Sequence, residues 1–194
     1  MPFSANYTAL DRAIHRFAFC SPIVQKVLAD VESDLFKASY ADIRSQDEVF
    51  ITGLPRAGTT LMLELLNETN EFRSFTYREM PFILVPLLWN KLSRSFRKAA
   101  TTQERAHGDG MEISVDSAEA FDEVVWLTYL GKHVVGDDRL APVTAQDVDE
   151  EFIEALQSCI RKLLAVAQLS QPDSPVLRYL SKNYAIISRI DELH

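Results

Sequence analysis

A short apolar run, a glycine-bounded loop and a helical run follow one another between residues 48 and 66. Residues 48–52, EVFIT, are β-branched and aromatic, which is typical of a buried strand, and they end at Gly53. Residues 59–66, TTLMLELL, have the composition of a helix. Strand, glycine loop and helix in this order open nucleotide-binding α/β folds. The sequence therefore predicts an α/β protein with a parallel sheet flanked by helices.

The loop GLPRAGTT, residues 53–60, spaces its two glycines as a phosphate-binding Walker A loop does. Gly53 suits a tight turn, and Gly58 allows the backbone to approach a phosphate closely. The amides of residues 57–60 would then point at an anion from the start of a helix. Thr59 replaces the lysine that contacts the β- and γ-phosphates, which argues against a P-loop kinase or ATPase. Arg56 supplies a positive charge inside the loop instead.

Residues 49–61, VFITGLPRAGTTL, resemble the 5′-phosphosulfate loop of sulfotransferases that use PAPS (3′-phosphoadenosine 5′-phosphosulfate). The similarity is greatest to the branch with the motif PRxGTT, which includes bacterial and tyrosylprotein sulfotransferases. The resemblance implies a P-loop type of parallel sheet, PAPS as co-substrate and no metal. It also implies a set of donor-binding residues, namely Pro55, Arg56, Ala57, Gly58, Thr59 and Thr60.

Lys182 follows a predicted strand at residues 176–181. Sulfotransferases place a lysine at the end of their second core strand, where it contacts the bridging oxygen of the donor, and Lys182 resembles that lysine. Sulfuryl transfer, like phosphoryl transfer, develops negative charge on the leaving oxygen. Cations at Arg56 and Lys182 would stabilise that charge. The alternative is that Lys182 is a surface lysine after a strand.

A sulfotransferase needs a general base for its acceptor, which is a hydroxyl or amine of a small molecule or peptide. In the tyrosylprotein branch a glutamate shortly after the loop helix does this, and Glu79 in FTYREM lies at a similar place. His107 in RAHGDG is the second candidate, since histidine titrates near neutral pH. The alternatives are a surface pair of Glu79 with an arginine, and a plain glycine turn around His107.

The rest of the chain divides into a helical N-terminal segment, 1–45, and a partial P-loop sulfotransferase domain, 46–194. The N-terminal segment is predicted to be helical over residues 8–40, interrupted by the capping pair Ser21 and Pro22. Further helices are predicted at 82–92, at 117–130 with Ser117 as the N-cap, at 144–169 with Thr144 as the N-cap, and at 184–193.

The pattern departs from the family after Lys182. The strand arginine and helix serine that grip the 3′-phosphate of PAPS have no counterpart in the 194 residues. A sheet with so few strands would also leave an open edge and an exposed apolar face. We therefore expect a truncated chain, one that forms a homo-oligomer or lacks a C-terminal half. The alternative function is a catalytically silent nucleotide-binding or interaction module derived from a sulfotransferase.

Composition limits the partners of this chain. A net charge of -8 and a pI near 5.0 exclude a broad basic surface for nucleic acid. Cys20 and Cys159 are far apart and fit no metal-ligand spacing, so we expect reduced, buried thiols. No run is long and apolar enough for a membrane span, and no secretory signal opens the chain. These features predict a cytoplasmic protein.

Overall fold

The computed structural model describes most of the chain between residues 21 and 183. The described residues are 21–45, 47–54, 56–80, 82–94, 103–104, 112–131, 134–135, 139–140, 143–144, 146–170 and 178–183. The helices predicted before residue 21 and after residue 183 lie outside these ranges, as does Cys20.

Helices and strands are interspersed along the chain. The helices are α1 (Pro22–Leu35), α2 (Lys37–Tyr40), α3 (Thr59–Asn67), α4 (Pro86–Ser93), α5 (Glu123–Tyr129) and α6 (Glu150–Ser170). The strands are β1 (Val49–Ile51), β2 (Phe72–Arg73), β3 (Gln103–Glu104), β4 (Glu112–Ile113), β5 (Val134–Val135), β6 (Arg139–Leu140) and β7 (Arg178–Lys182).

The main sheet is parallel and has the strand order β1-β7-β2. The register pairs Val49 with Leu180 and Phe72 with Arg178. The central strand is thus the last of the three in sequence, so the chain crosses over from β2 to β7 through the helices between them. β3 pairs with β4, and β5 with β6, as short antiparallel ribbons. A parallel sheet flanked by helices confirms the predicted α/β class.

The two faces of β7 contribute to different apolar clusters, because successive side chains of a strand point to opposite sides. Leu180 packs with Leu63 of α3 on one side. Tyr179 faces the other side, where its ring makes edge contacts with Phe50 at 6.0 Å and Phe75 at 6.1 Å. The cluster around Tyr179 is the larger core and includes buried residues of α5 and α6, namely Val125, Trp126, Phe152, Cys159, Ile160, Leu163 and Leu164.

A buried ion pair connects α1 to α6 outside this core. Nζ of Lys162 lies 3.1 Å from Oε2 of Glu32, and both side chains are almost fully buried. The same ammonium donates to the carbonyl of Ala29 at 3.1 Å. The Leu88 amide in α4 donates to Oε1 of Glu32 at 2.6 Å. One pair of charges therefore holds three helices together.

The starts of α1 and α3 lie where the sequence predicts them. The Ser21 side chain accepts from the Ile23 amide at 3.2 Å, and Pro22 occupies the first helical position. α3 begins at Thr59 directly after Gly58. Local signals decide these starts, since a capping hydroxyl, a proline with a fixed φ and a left-handed glycine act on their immediate neighbours.

Three other predicted helix starts are wrong, each being too early. α4 begins at Pro86 instead of residue 82, because proline is well suited to a first helical position. Ser117 caps no helix, since residues 117–119 pair with the segment after β2 and α5 begins at Glu123. Thr144 bonds to Asp147 in a turn.

The N-terminal cap of α6 is Asp149, not Thr144. Its Oδ1 accepts from the Phe152 amide at 2.8 Å, which is the bond expected of a capping carboxylate. α6 consequently runs over 21 residues, from Glu150 to Ser170.

One side of α3 is apolar and exposed. Leu61, Met62 and Leu65 are about half exposed there, and Leu54 in the preceding loop is exposed as well. The opposite side of the same helix is buried through Leu63. α3 therefore binds the sheet with one side only.

Candidate functional site

The carboxyl ends of the three parallel strands meet at one edge of the sheet. β1 leads into the glycine loop, which we define as residues 53–60. β7 ends at Lys182, and β2 leads into the turn that contains Glu79. The Asn183 amide donates to the Ile51 carbonyl at 3.1 Å, which continues the hydrogen bonding between β1 and β7 by one residue. Ligands of open α/β sheets bind at this edge.

The two glycines of the glycine loop have different structural reasons. A Cβ atom on Gly53 would lie 3.3 Å from Cγ2 of Thr59 and 3.6 Å from Cβ of Ala57, so a side chain there would crowd the loop. Gly58 caps α3 with a left-handed φ of 82°, which glycine adopts without strain. The loop thus folds back tightly on the start of α3.

Arg56 also has a left-handed backbone, with φ of 69°. It is the third residue of a turn that the Ala57 amide closes by donating to the Leu54 carbonyl at 3.1 Å. A positive φ at this position is what a type II turn requires, although glycine or asparagine usually occupies it. Arg56 is exposed beside the start of α3. Strain of this kind in a non-glycine residue is frequent at ligand-binding sites.

The first turn of α3 begins beside Arg56. The Ala57 amide donates within the loop, and the amides of a first helical turn in general have no acceptor inside their own helix. The Met62 amide starts the regular pattern by donating to the Gly58 carbonyl at 3.1 Å. Thr59 and Thr60 are half-buried at the same helix end. The arrangement has the donors and the dipole that favour an anion.

Lys182 lies on the same face of the sheet as the glycine loop helix. It pairs in register with Ile51, and it shares a face with Leu180, which packs on Leu63 of α3. Its Nζ forms an ion pair with Oε1 of Glu119 at 2.6 Å, and both side chains are largely shielded from solvent. Lys182 is therefore not a solvated surface lysine, which was the alternative reading of its sequence.

Asn183 next to it has an acidic partner as well. Its side-chain amide donates to Oε2 of Glu123 in α5 at 2.5 Å. Glu119 and Glu123 thus bind consecutive residues at the end of β7. The sequence signal was the acidic run DSAEAFDE at 116–123, most of which falls within the helix predicted at 117–130. Its role as a set of partners for Lys182 and Asn183 was missed.

Glu79 is buried and accepts three hydrogen bonds. Its Oε2 accepts from the Thr76 amide and from Oγ1 of Thr76, both at 2.7 Å. Its Oε1 pairs with a guanidinium nitrogen of Arg73 at 2.6 Å. This network ties the turn after β2 together. A base role for Glu79 stays a prediction.

Two predicted site residues, Pro55 and His107, lie outside the described residues, so their roles stay predictions. Among the residues that the structure describes, no group of three or more His, Cys, Asp or Glu could hold a metal ion. A cavity of about 430 Å³ lies between α1 and α6, and none of the residues that line it belongs to the glycine loop.

A family comparison adds independent evidence about this sheet edge. The family model described as "Sulfotransferase family" matches residues 48–193, which include β1, the glycine loop, Glu79, Glu119 and Lys182. The chain belongs to the sulfotransferase family. No curated protein and no solved structure matches it in the corresponding comparisons.

Membership of the sulfotransferase family supports a transferase enzyme with a sulfotransfer type of function. It agrees with the resemblance that the glycine loop indicates. A bilayer-spanning helix does not occur in the part of this sulfotransferase-family chain that the structure describes.

Proposed function

We propose that this chain transfers a sulfuryl group from PAPS to a hydroxyl or amine acceptor on a small molecule or peptide. The proposal rests mainly on the position of Lys182. Lys182 pairs with Ile51, two residues before the glycine loop, and it lies on the same face of the sheet as Leu180, which packs on α3. An anion held at the start of α3 would then have two cations nearby, Arg56 and Lys182.

The donor set of the loop fits the 5′-phosphosulfate group of PAPS. Amides at the start of α3 would bind its oxygens, and the hydroxyls of Thr59 and Thr60 would add two donors. The guanidinium of Arg56 matches an oxyanion with two parallel N–H groups. Gly53 keeps the loop free of a side chain that would displace Thr59. Fixed donors of this kind stabilise developing charge without reorganisation during the reaction.

In the proposed reaction, the acceptor oxygen or nitrogen forms a bond to sulfur while the bond from sulfur to the bridging oxygen breaks. The electron pair of that bond stays on the 5′-phosphate of the leaving nucleotide PAP (3′-phosphoadenosine 5′-phosphate). Lys182 would donate to this leaving oxygen. The acceptor proton passes to a general base, for which Glu79 and His107 are the predicted candidates.

Calorimetry with PAP, PAPS and Mg-ATP tests the donor site directly. The variant Arg56→Ala should weaken PAP binding by about 1.5–3 kcal/mol, roughly 10- to 150-fold in Kd, the range for a hydrogen bond to a charged group. Arg44→Ala is the matched control, because Arg44 is an exposed arginine outside the loop. It should leave the Kd unchanged.

A sulfate-transfer assay over a panel of phenols and amines then tests turnover. Loss of turnover in Glu79→Gln with retention in His107→Ala would identify Glu79 as the base, and the opposite pattern would identify His107. PAPS binding without any turnover would favour the silent nucleotide-binding module. The proposal would be refuted if the chain bound Mg-ATP tightly and hydrolysed it but did not bind PAPS.

A further inference from the structure

The carboxylate of Glu119 lies at the end of the central strand in direct contact with Lys182. We propose that Glu119 is a positioning residue for Lys182, which holds the ammonium group on the glycine-loop side of the sheet during sulfuryl transfer. This inference rests on the proposed function, because Glu119 has this role only in a site that uses Lys182.

The position of Glu119 follows from a segment that is itself fixed to the sheet. Ala118 is buried in the cluster of Leu63 and Leu180, and it forms a β-bridge with Thr76. The Glu119 amide donates to the Phe75 carbonyl at 3.1 Å. The carboxylate therefore projects from a backbone held between β7 and the segment after β2, so its location is set before any ligand binds.

The ion pair of Lys182 with Glu119 is short and largely shielded from solvent, unlike an ordinary surface ion pair, and this favours a positioning role. The distance from Nζ of Lys182 to Oε1 of Glu119 is 2.6 Å, with side-chain exposures of 14% and 16%. A free lysine side chain has about 2 kcal/mol of rotamer entropy, which it loses when it is ordered. The ion pair orders Lys182 in advance. An ammonium has three N–H donors, so the bond to Glu119 leaves two for a leaving phosphate oxygen.

Glu123 provides an internal comparison within the same segment. It is also an acidic partner of the β7 end, but it bonds to Asn183 instead of Lys182. A purely structural role of the acidic segment predicts similar effects at both positions. A positioning role predicts that only Glu119 affects the chemical step.

The test compares Glu119→Gln, Lys182→Met, the double variant and the control Glu123→Gln. We expect Glu119→Gln to lower kcat about 10- to 100-fold, the effect of a reacting group displaced by about 1 Å. Circular dichroism checks that each variant is folded, and the Kd for PAP should rise by a smaller factor than kcat falls, because the bond from Lys182 to the leaving oxygen strengthens in the transition state. In the Lys182→Met background the same change should alter kcat less than about twofold, because the two residues act as one unit.

Several outcomes would overturn the inference. An unchanged kcat in Glu119→Gln would do so. So would a loss of kcat from Glu119→Gln that is as large in the Lys182→Met background as in the unaltered chain. If Glu119→Gln does not fold, Glu119→Asp serves instead, since it keeps the charge but falls short of Lys182, and normal kcat in that variant refutes positioning. Failure of the unaltered chain to bind PAP or PAPS, or to turn over bound PAPS, refutes the proposed enzyme itself. If the unaltered chain turns over PAPS but the effects of Glu119→Gln and Lys182→Met on kcat are additive, only the role of Glu119 is refuted.

Discussion

Replacing Lys162 by methionine should destabilise the protein strongly. The change removes the only charge that the structure shows within ion-pair distance of the buried Glu32 carboxylate, and it also removes the donor to the Ala29 carbonyl. Leu88 would still donate to Glu32, but backbone amides do not neutralise a buried charge. The three helices joined by this pair would then meet at an uncompensated carboxylate.

The expected loss in unfolding free energy is about 3–5 kcal/mol at pH 8, the range for removal of one partner of a buried ion pair. This is a large part of the roughly 5–15 kcal/mol that stabilises a typical domain. At about 2–4 °C per kcal/mol for a chain of this size, Tm should fall by roughly 6–20 °C. Adding Glu32→Gln should recover much of the loss, because glutamine keeps an acceptor for Leu88 without the charge.

The loss should also depend on pH in a defined direction. Burial raises the pKa of Glu32 above its ordinary value of 4.5, and Lys162 partly opposes that shift. Without Lys162 the pKa rises further. A raised pKa in the folded state favours the protonated form, so its stabilising contribution is present below pH 4.5 and is lost as pH rises through the folded value. The deficit of Lys162→Met should therefore be smaller at pH 5.5 than at pH 8, changing by at most about 1.4 kcal/mol per pH unit.

Urea unfolding followed by circular dichroism at both pH values measures these quantities. Lys37→Met is the control for loss of a positive charge on an exposed lysine, and it should change stability by no more than about 0.5 kcal/mol. The reasoning is refuted if Lys162→Met costs less than about 1 kcal/mol at pH 8. A deficit that grows as the pH falls would contradict the assignment to Glu32.

Three further predictions concern other parts of the fold. Ser21→Ala should cost about 1 kcal/mol in urea unfolding by removing the cap of α1, and an unchanged midpoint would contradict the capping role. Gly58→Ala should lower stability by about 1 kcal/mol or more, because alanine is strained at a φ of 82°; equal stability would show that the backbone there is not left-handed. Burial raises the pKa of Cys159 to about 12, so in a Cys20→Ser chain DTNB at pH 8 should label this thiol only after unfolding, and rapid labelling of the native protein would refute its burial.

Much of the candidate site could be predicted because its signals are local. The strand before Gly53, the helix from Thr59 and the lysine at the end of a strand all depend on neighbouring residues. The two-residue strand β2 was missed, since Phe72 and Arg73 are too few to show a period of two. The contact of Lys182 with Glu119 was missed for another reason: the two residues are distant in sequence and meet only through the sheet.

The sequence by itself determined the α/β class of this chain and the residues of its glycine loop, in which Thr59 stands at the position of the Walker lysine and Arg56 supplies a positive charge nearby. Backbone angles, capping and strand propensity act over a few residues, so they can be predicted from a single segment. Tertiary structure decided which charges meet. It placed Lys182 against Glu119, Glu79 against Arg73 and Glu32 against Lys162, because burial makes each charge require a partner and only the packed fold brings that partner within reach.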